Sequence, residues 1–508
     1  MDGFANMVLG EALTRVAPEP VLANRIRELN LALLCDYDQS VAGTIIDHVQ
    51  GLIRYSAHNV VPINFRGRLP SRLALDRFDG VMLHYSLTAC RDSDLAPAVR
   101  TALREFPGLK IAFVQDDYRF INSTVCALDD LGMHVLFGLA PDDIIDDIYA
   151  PSALPGMRRE TLLAGYVPEN LLHLDVPALR DRPIDIGYRA RKLPAWLGSH
   201  GQEKWQIGAG VLEDADRYDL RCNISSEEGD RLYGERWIEF LTSCKAVLGT
   251  ESGSSVCDFT GEIQAATEAH LVRDPSTSFE KLRDLYFKDA DRRLMINVIS
   301  PRCFEAAALR TLMILYEGKY SNRLEPWRHY VPLRKDHGNM EEVAAVLNDP
   351  VRAQAIVDRA YREVALNRDN GFEAMVSQVD RAIEATFQTK MRAVEPFYSK
   401  AELSRLDREM TRRARHRHRA QALHIGLHIA AVRALDRSLQ LLPKVLRHWI
   451  RERFRRRFHD LKSMLRQMSA SRVTEPPVTH RSAGLVEHDQ LDLQRSSLMV
   501  ASNDRSDR

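Results

Sequence analysis

Short apolar runs alternate with stretches of helical spacing along two parts of this 508-residue chain. In the first part, Leu29–Cys35, Val60–Asn64 and Lys110–Gln115 have the composition of buried strands, and Val41–Ser56 has helical periodicity. A second series of the same kind begins at Asp185. Strands that alternate with helices predict a parallel, doubly wound sheet, so the sequence predicts an α/β fold with two such series.

A proline-punctuated connector, LLHLDVPALRDRP, separates the two series, and the second series includes a predicted strand at Tyr218–Cys222. The chain is also too long for one ordinary hydrophobic core, which is a second reason to expect at least two domains. The predicted divisions are an N-terminal lead (1–28), a first domain (29–175), a second domain (176–390), a basic helical extension (391–470) and a disordered tail (471–508).

The formal net charge of zero is a cancellation between an acidic body and a basic C-terminal part. Between Arg405 and Arg466 there are 18 Lys and Arg against 5 Asp and Glu, a surplus of 13 that leaves −13 for the remainder. An acidic body argues against nucleic acid as a partner.

The cysteines and the N-terminus bear on the compartment. The seven cysteines are scattered without a CxxC pair, which favours reduced thiols and argues against structural zinc. The N-terminal sequence does not resemble a signal peptide, and no run reaches the ~18 apolar residues of a membrane span. We therefore expect a cytoplasmic protein.

Ligands of doubly wound sheets bind at the carboxyl ends of the strands. In the first domain this rule selects Asp36, Asp38, Gly43, His84, Tyr85, Gln115, Asp116 and Asp117. Among them His84 and Asp116 are the candidate catalytic residues, since either side chain could act as a base or contact a substrate. A lone histidine at a strand end is more often a structural hydrogen-bond partner, and we rank that interpretation of His84 first.

The segment from Ile299 to Asp336 combines a helix start with a short apolar strand. Ser300 suits the N-cap, Pro301 suits the first helical turn, and Glu305 lies one turn inside. The N–H groups of a helix N-terminus can bind phosphate, and a carboxylate there can accept a hydrogen bond from a sugar hydroxyl. Taken alone, S-P-x-x-F-E is a weak signal, and the alternative is an ordinary helix with Glu305 facing solvent.

Residues 299–333 resemble the nucleotide-sugar segment of group 1 glycosyltransferases, in which two Rossmann-like domains face a cleft (the GT-B architecture). The likeness is carried by an F-E-A-x-A-x-x-T helix that starts at Phe304, and it extends over most of the chain from Leu31 to about residue 385. It implies that Glu305 binds the donor ribose and that the diphosphate lies at the start of this helix, with Ser300 and Arg302 as donor-binding residues.

The resemblance also implies an Arg and a Lys after the first strand of the second domain, where Arg189, Arg191 and Lys192 lie. In relatives such cations neutralise the departing diphosphate, and this neutralisation can take the place of a metal ion. The alternative is a solvated basic turn.

Two further features of the second domain bear on the donor site. The Ser/Gly-rich stretch after a predicted strand makes Glu251, Ser252 and Ser254 candidate donor contacts, and a plain surface loop is an equal alternative. Many relatives carry a Glu-x7-Glu pair, but the position eight residues before Glu305 is Asn297, which leaves the catalytic details open.

Metal ions and cofactors are not expected. Asp-x-Asp matches at Asp36, Asp214 and Asp289 are close to chance in a chain with 70 acidic residues. We therefore predict no metal site and no cofactor, because the nucleotide sugar is a substrate.

The basic extension carries an apolar seam with helical spacing, formed by Val432, Leu435, Leu439, Leu442, Leu446 and Trp449. A basic helix with aromatic residues on its apolar face suits an anionic membrane surface. Self-association through residues 420–468 is the alternative.

The sequence thus predicts a metal-independent glycosyltransferase that acts on a glycan or lipid-linked acceptor, in the cytoplasm or at the inner face of the membrane. A nucleotide-sugar epimerase of the same architecture is one alternative. A catalytically inactive sugar-binding or scaffold protein is another, because of Asn297.

Overall fold

The structure is a computed structural model that describes residues 29–37 and 43–417, together with Arg419 and Leu423. The N-terminal lead, Asp38, the apolar seam that begins at Val432 and the tail lie outside the described residues. What we predict for them stays a prediction.

The first sheet has six parallel strands. They are Asn30–Cys35 (β1), Asn59–Asn64 (β2), Gly80–Leu83 (β3), Leu109–Phe113 (β4), Val135–Gly138 (β5) and Arg158–Thr161 (β6). Their order is β2-β1-β3-β4-β5-β6. The helices of this domain are Gly43–Tyr55 (α1), Pro97–Glu105 (α2), Ile121–Asp130 (α3) and the short Ile145–Ile148 (α4).

Both faces of this sheet are covered, as its continuous apolar strands predict. In β1, Ala32 and Leu34 point into one hydrophobic cluster, and Leu31 and Leu33 point into another on the opposite face. Because side chains alternate along a strand, one run of apolar residues contributes to the hydrophobic clusters on both faces of the sheet.

The second sheet has five parallel strands. They are Ile184–Arg189 (β7), Cys222–Ser225 (β8), Cys244–Gly249 (β9), Leu312–Tyr316 (β12) and Val331–Leu333 (β13), in the order β13-β12-β9-β7-β8. A separate antiparallel pair consists of Ser252–Ser254 (β10) and Ile296–Val298 (β11). The remaining helices are Glu169–Leu172 (α5), Gly198–Asp214 (α6), Glu235–Ser243 (α7), Glu262–Arg273 (α8), Phe279–Tyr286 (α9), Pro301–Ala308 (α10), Met340–Leu347 (α11), Pro350–Ala360 (α12) and Phe372–Thr386 (α13).

The final helix, α13, returns from the second domain to the first. Its Met375, Val376 and Val379 lie in the same hydrophobic cluster as Leu31 and Leu33 of β1. The predicted α/β fold with two doubly wound domains is therefore confirmed.

Two sequence predictions for the second domain were wrong. The strand predicted at Tyr218–Cys222 begins only at Cys222, where the chain comes level with Ile186 of β7. The residues before it form a short 3₁₀ turn that ends at Asp219, whose φ of 51° interrupts an extended chain. The stretch predicted as a loop after β9 contains β10, because its backbone pairs with β11 more than 40 residues later in the chain.

The segment between β10 and β11 is an insertion that the sequence analysis did not predict. It contains α8 and α9, and it reaches the first domain, where Cys257, Ile296 and Val298 join the hydrophobic core. The amide of Asp258 donates to the carbonyl of Tyr118 over 2.8 Å. The insertion therefore ties the two domains together on one side of the space between their sheets.

The first part of the basic extension packs on the first domain. Residues 400–417 form a helix, and the buried Glu409 on it accepts hydrogen bonds from the amide (2.7 Å) and hydroxyl (2.9 Å) of Ser71. Tyr398, just before this helix, accepts from the amide of Ala74 over 2.5 Å. Within the described part of the chain, no helix is both long enough and apolar enough to cross a membrane.

Candidate active site

A cleft of about 620 Å³, open to solvent, lies between the carboxyl ends of the first sheet and the start of α10. Its lining includes His48 and Tyr85 from the first domain and Pro301 and Glu305 from the second. The two domains approach closely at Gly165, where an added Cβ would lie 2.7 Å from the Pro301 ring. Glycine at this position allows the loop after β6 to pack on the helix that carries Glu305.

Glu305 lies in this cleft and is half-buried. Its Oε2 accepts a hydrogen bond of 2.8 Å from the indole N–H of Trp237 on α7. Burial raises the pKa of the Glu305 carboxyl, and the Trp237 hydrogen bond and the nearby Arg302 oppose that shift. Glu305 therefore does not simply face solvent, which was the alternative interpretation of the sequence.

Three cations gather where β7 ends and α10 begins. Burial, together with the positive charges of Arg302 and Arg191, lowers the pKa of Lys204 on α6 to about 8. Lys204 Nζ lies 3.4 Å from the hydroxyl of Ser252. Three like charges held this close, with one of them largely desolvated, are costly unless an anion binds among them.

Arg191 is a partly buried cation of the group. Its Nε lies 3.3 Å from Glu228, but one terminal nitrogen is buried without a hydrogen-bond partner among the described residues. Buried N–H groups of arginine are rarely left unsatisfied, so this one indicates a group that the protein chain does not supply.

The other two predicted cations are placed differently. The Arg189 guanidinium donates to the carbonyl groups of Tyr188, Asn223 and Asp230, and it lies 4.3 Å from the centre of the Phe240 ring. It therefore orders the end of β7. Lys192 Nζ lies 5.5 Å from the centre of the Trp205 ring, beyond the end of the strand.

Arg302 connects the cations to Glu305. Its guanidinium donates to the carbonyl of Arg189 and lies 5.0 Å from the centre of the Trp237 ring, the same ring whose N–H binds Glu305. Ser300 occupies the N-cap position of α10 as predicted, but its side chain makes no capping hydrogen bond.

The predicted loop residues have separate roles. Ser252 contacts Lys204, whereas Ser254 is fully buried and its hydroxyl lies 2.7 Å from the carbonyl of Val256. Glu251 is also buried, and it accepts hydrogen bonds from the amides of Tyr320 (2.7 Å) and of the Asn297 side chain (3.3 Å). Position 297 itself has no carboxylate, but the carboxylate of Glu251, which follows β9, lies beside Asn297.

The N-terminus of α6, a second possible phosphate site, is filled by the protein itself. Asp291 accepts a hydrogen bond of 3.0 Å from the amide of Ser199, and the hydroxyl of Ser255 accepts one of 3.0 Å from the amide of His200. Gly198 has a φ of 74°, and an added Cβ would lie 2.5 Å from the Asp291 carboxylate. A phosphate is therefore expected at the cation cluster rather than here.

The two candidate catalytic residues differ in exposure. Asp116 is exposed at the end of β4, accepts a hydrogen bond of 2.8 Å from the Tyr118 hydroxyl, and interacts electrostatically with Lys204 of the other domain. His84 is fully buried and binds His48 and Ser86. The structure thus leaves Asp116 exposed within electrostatic range of Lys204, whereas His84 is buried beneath the cleft lining.

Two site residues have no signal in the sequence. Lys204 has the pattern of an ordinary surface lysine on a helix, and its environment comes from residues distant in sequence. His48 lies inside an amphipathic helix and reaches the cleft only because β3 lies beside α1. Within 29–37 and 43–417, no group of three or more His, Cys, Asp or Glu side chains could hold a metal ion.

Comparisons with known proteins concern the fold. No protein-family model matches the chain, and no curated protein matches it. Among solved structures, HepE from Anabaena in complex with UDP is similar at 9% identity, with 70% of this chain and all of HepE covered and a TM-score of 0.40. An α-glucosyltransferase in complex with UDP and a 13-mer DNA is similar at 8% identity, with 70% of this chain and all of the glucosyltransferase covered and a TM-score of 0.44. An α1,3-fucosyltransferase is similar at 10% identity, with 73% of this chain and 93% of the fucosyltransferase covered and a TM-score of 0.36.

The chain has the GT-B architecture. Its own topology carries this assignment: two parallel sheets with a cleft between them, and a last helix that crosses back to the first domain.

Proposed function

We propose that this protein is a glycosyltransferase that moves a sugar from a nucleotide-sugar donor to a hydroxyl of an acceptor. The observation that carries the proposal is the group of Lys204, Arg191 and Arg302 beside Glu305. Clustered cations next to a half-buried carboxylate match a diphosphate next to a ribose, because phosphate oxygens need positive donors and ribose hydroxyls need an acceptor.

The cations would act on the leaving group. When the sugar C1–O bond to the diphosphate breaks, negative charge develops on the departing oxygen, and Lys204 and Arg302 stabilise it. The acceptor oxygen forms the new bond to C1 and loses its proton to a base. Asp116 is our candidate for that base, because it is an exposed carboxylate on the opposite side of the cleft.

The remaining assignments follow the sequence. We propose that transfer needs no metal, since side-chain cations neutralise the diphosphate, and no cofactor. We also propose a glycan or lipid-linked acceptor rather than nucleic acid, because the body of the protein is acidic and the basic residues are concentrated in the C-terminal extension.

Binding of UDP and of uridine to the Lys204→Met variant tests the proposal. Methionine fills similar space and removes a buried charge, so the fold should keep its stability. We expect the Kd for UDP to rise by about 10- to 100-fold, the range for losing a hydrogen bond to a charged group, and the Kd for uridine to stay the same. Lys288→Met, at an exposed lysine of the insertion, is the control.

The pH dependence adds a second readout. Because the pKa of Lys204 is about 8, UDP affinity of the parent protein should fall as the pH rises through that value, and the Lys204→Met variant should lack this step. Equal affinities of the parent protein and the Lys204→Met variant for UDP, in calorimetric titrations at pH about 7, would contradict the assigned diphosphate site.

A further inference from the structure

A chain of hydrogen bonds connects a backbone amide to a histidine in the cleft. The amide of Ser86 donates to Nδ1 of His84 over 3.0 Å, and the Ser86 hydroxyl lies 2.9 Å from the same nitrogen. His84 Nε2 lies 3.1 Å from His48 Nδ1. His84 is completely buried, and His48 is 8% exposed and lines the cleft.

These contacts fix the positions of the ring protons. A backbone amide can only donate, so Nδ1 of His84 must be an acceptor and the proton of its neutral ring lies on Nε2. That Nε2–H donates to His48 Nδ1, which is therefore also an acceptor. The proton of His48 must then lie on its Nε2, for which the described residues supply no hydrogen-bond partner.

Both rings are held neutral and in place. Burial lowers the pKa of His48 to about 3, and burial together with the neighbouring His48 ring lowers the pKa of His84 well below its usual value. The His48 ring meets Tyr85 and Phe113 edge-on, at centroid distances of 5.2 Å for both. The other titratable groups of the cleft lining are Asp47 on the same helix, Tyr85 and Tyr166 of the first domain, and Glu305 across the cleft.

We propose that His48 is a sugar-binding residue that donates its Nε2–H to a hydroxyl oxygen of a sugar in the cleft, and that His84 is the positioning residue that fixes this tautomer. The proposal rests on the proposed glycosyltransferase function for the identity of the ligand. An apolar lining that includes Phe137, Tyr166 and Phe372, with few polar groups, suits the face of a sugar ring. A neutral donor adds specificity for an oxygen without adding charge.

This assignment excludes the role that the sequence offered for a histidine here. A general base must present a lone pair to the acceptor hydroxyl, but the His48 nitrogen that remains available carries a proton. His84 cannot be the base either, because both of its ring nitrogens are used inside the protein.

The first measurement reads the tautomers directly and does not depend on activity. The full-length protein is labelled with ¹⁵N-histidine, and two-bond ¹H–¹⁵N correlations are recorded between about pH 5 and 8, where ordinary histidines titrate. The spectra of the His48→Gln and His84→Gln variants assign the two rings. We expect both rings to be neutral Nε2–H tautomers throughout. A His48 ring with its proton on Nδ1, or one that titrates in this range, overturns the proposal.

The second measurement compares two substitutions at the same position in a transfer assay with UDP-glucose and other UDP-sugars as donors. His48→Gln retains an N–H donor near the position of Nε2 and cannot act as a base there, whereas His48→Leu has no donor. We expect the kcat/KM of His48→Leu to lie about 3- to 10-fold below that of His48→Gln, the range for one hydrogen bond. Equal values for the two variants, whether reduced about 100-fold or more as for a lost base or not reduced at all, overturn the proposal.

The two arms separate this inference from the function on which it rests. If the parent protein transfers no sugar from any donor, the proposed function fails. The tautomer spectra still decide whether His48 presents a donor or a lone pair to the cleft.

Discussion

Glu305 and Trp237 form a hydrogen-bonded pair in the proposed donor site. Burial favours the protonated carboxyl of Glu305, and the indole N–H of Trp237 opposes that shift from 2.8 Å away. A ribose hydroxyl is best bound by the ionised carboxylate, which offers lone pairs and no proton. Trp237 therefore keeps Glu305 in its binding form, although it has no assigned contact with the donor.

The Glu305→Ala variant should bind nucleotide sugar more weakly by ~1.5–3 kcal/mol, the range for a hydrogen bond to a charged group. The Trp237→Phe variant should bind nearly normally at high pH. As the pH is lowered, its affinity should fall at a higher pH than in the parent protein, because the pKa of Glu305 is no longer held down. Calorimetric titration of UDP across this range is the measurement.

Trp327→Phe, at a partly exposed tryptophan of another loop, is the matched control. If Trp237→Phe and Trp327→Phe have the same pH profile as the parent protein, the Trp237 hydrogen bond does not tune Glu305.

At the scale of elements, the carboxyl ends of β4 and β5 are joined by one buried carboxylate. Asp117 follows β4, and its oxygens accept hydrogen bonds from the amides of Leu139 (2.6 Å) and Ala140 (2.8 Å) and from the Tyr149 hydroxyl (2.5 Å). Desolvation nevertheless raises the pKa of Asp117 to about 6. Asp117 therefore holds the backbone after β5, where Leu139 lines the cleft. Its ionised form at neutral pH lowers the free energy of unfolding.

The Asp117→Asn variant tests this account. The folded protein holds the proton more tightly than the unfolded chain, so stability due to this group is present below the unfolded pKa of 3.8 and is lost as the pH rises through about 6. An asparagine can still accept the two amides through its oxygen and donate to Tyr149. We expect the variant to be up to about 3 kcal/mol more stable at pH about 7, with the advantage gone at pH about 4.

Urea unfolding of both proteins at the two pH values provides the measurement. Asp117→Ala, which loses all three hydrogen bonds, is the comparison and should be destabilised at both. An Asp117→Asn variant that is less stable than the parent at pH about 7 shows that the ionised form is needed and contradicts this account.

Elements of the fold could be predicted from the sequence where local pattern and tertiary environment agree. The strands at Leu29–Cys35 and Leu312–Tyr316 are continuous apolar runs, and these are buried on both faces of parallel sheets. β8 was misplaced because its start depends on its register with β7. β10 was missed because its partner strand is distant in the chain.

The candidate site divides in the same way. Glu305 and Arg191 could be predicted because a helix start and a strand end are local features. Lys204 and His48 could not, because what makes them unusual is their neighbours on other elements. The same holds for His84, for which the structural interpretation that we ranked first matches its buried hydrogen bonds.

At the scale of the whole molecule, the start of the basic extension is an anchored part of the first domain. Leu406 and Met410 are buried in its hydrophobic core, and Arg413 donates to the carbonyl of Leu69 over 2.7 Å. Arg417 lies 3.7 Å from Asp36, at the carboxyl end of β1. The helix 400–417 thus ends on the side of the sheet that faces the cleft, and the basic sequence continues from there.

We predict that the full-length protein sediments with anionic liposomes at low salt and that a chain ending after Leu423 does not. Each basic residue near an anionic surface adds ~1 kcal/mol, and the interaction weakens with salt. Truncation after Leu423 leaves the buried Tyr398, Leu406 and Met410 in place. Neutral liposomes are the control.

Two other results of the liposome experiment would change the interpretation of the basic extension. If the shortened protein still sediments with anionic liposomes, the membrane contact lies elsewhere. If neither protein binds liposomes but truncation changes the oligomeric state, the extension is an assembly element and the membrane interpretation is wrong.

The central claim is that the cations at Lys204 and the carboxylate of Glu305 bind a nucleotide sugar for transfer. The most direct measurement follows release of nucleoside diphosphate from a panel of nucleotide sugars, with and without glycan acceptors and with a chelator present throughout. We predict acceptor-dependent release by the parent protein despite the chelator, and loss of most of it in both Lys204→Met and Glu305→Ala. Release that requires added magnesium or manganese, release that is equal in all three proteins, or an epimerised sugar nucleotide as the product would contradict the account.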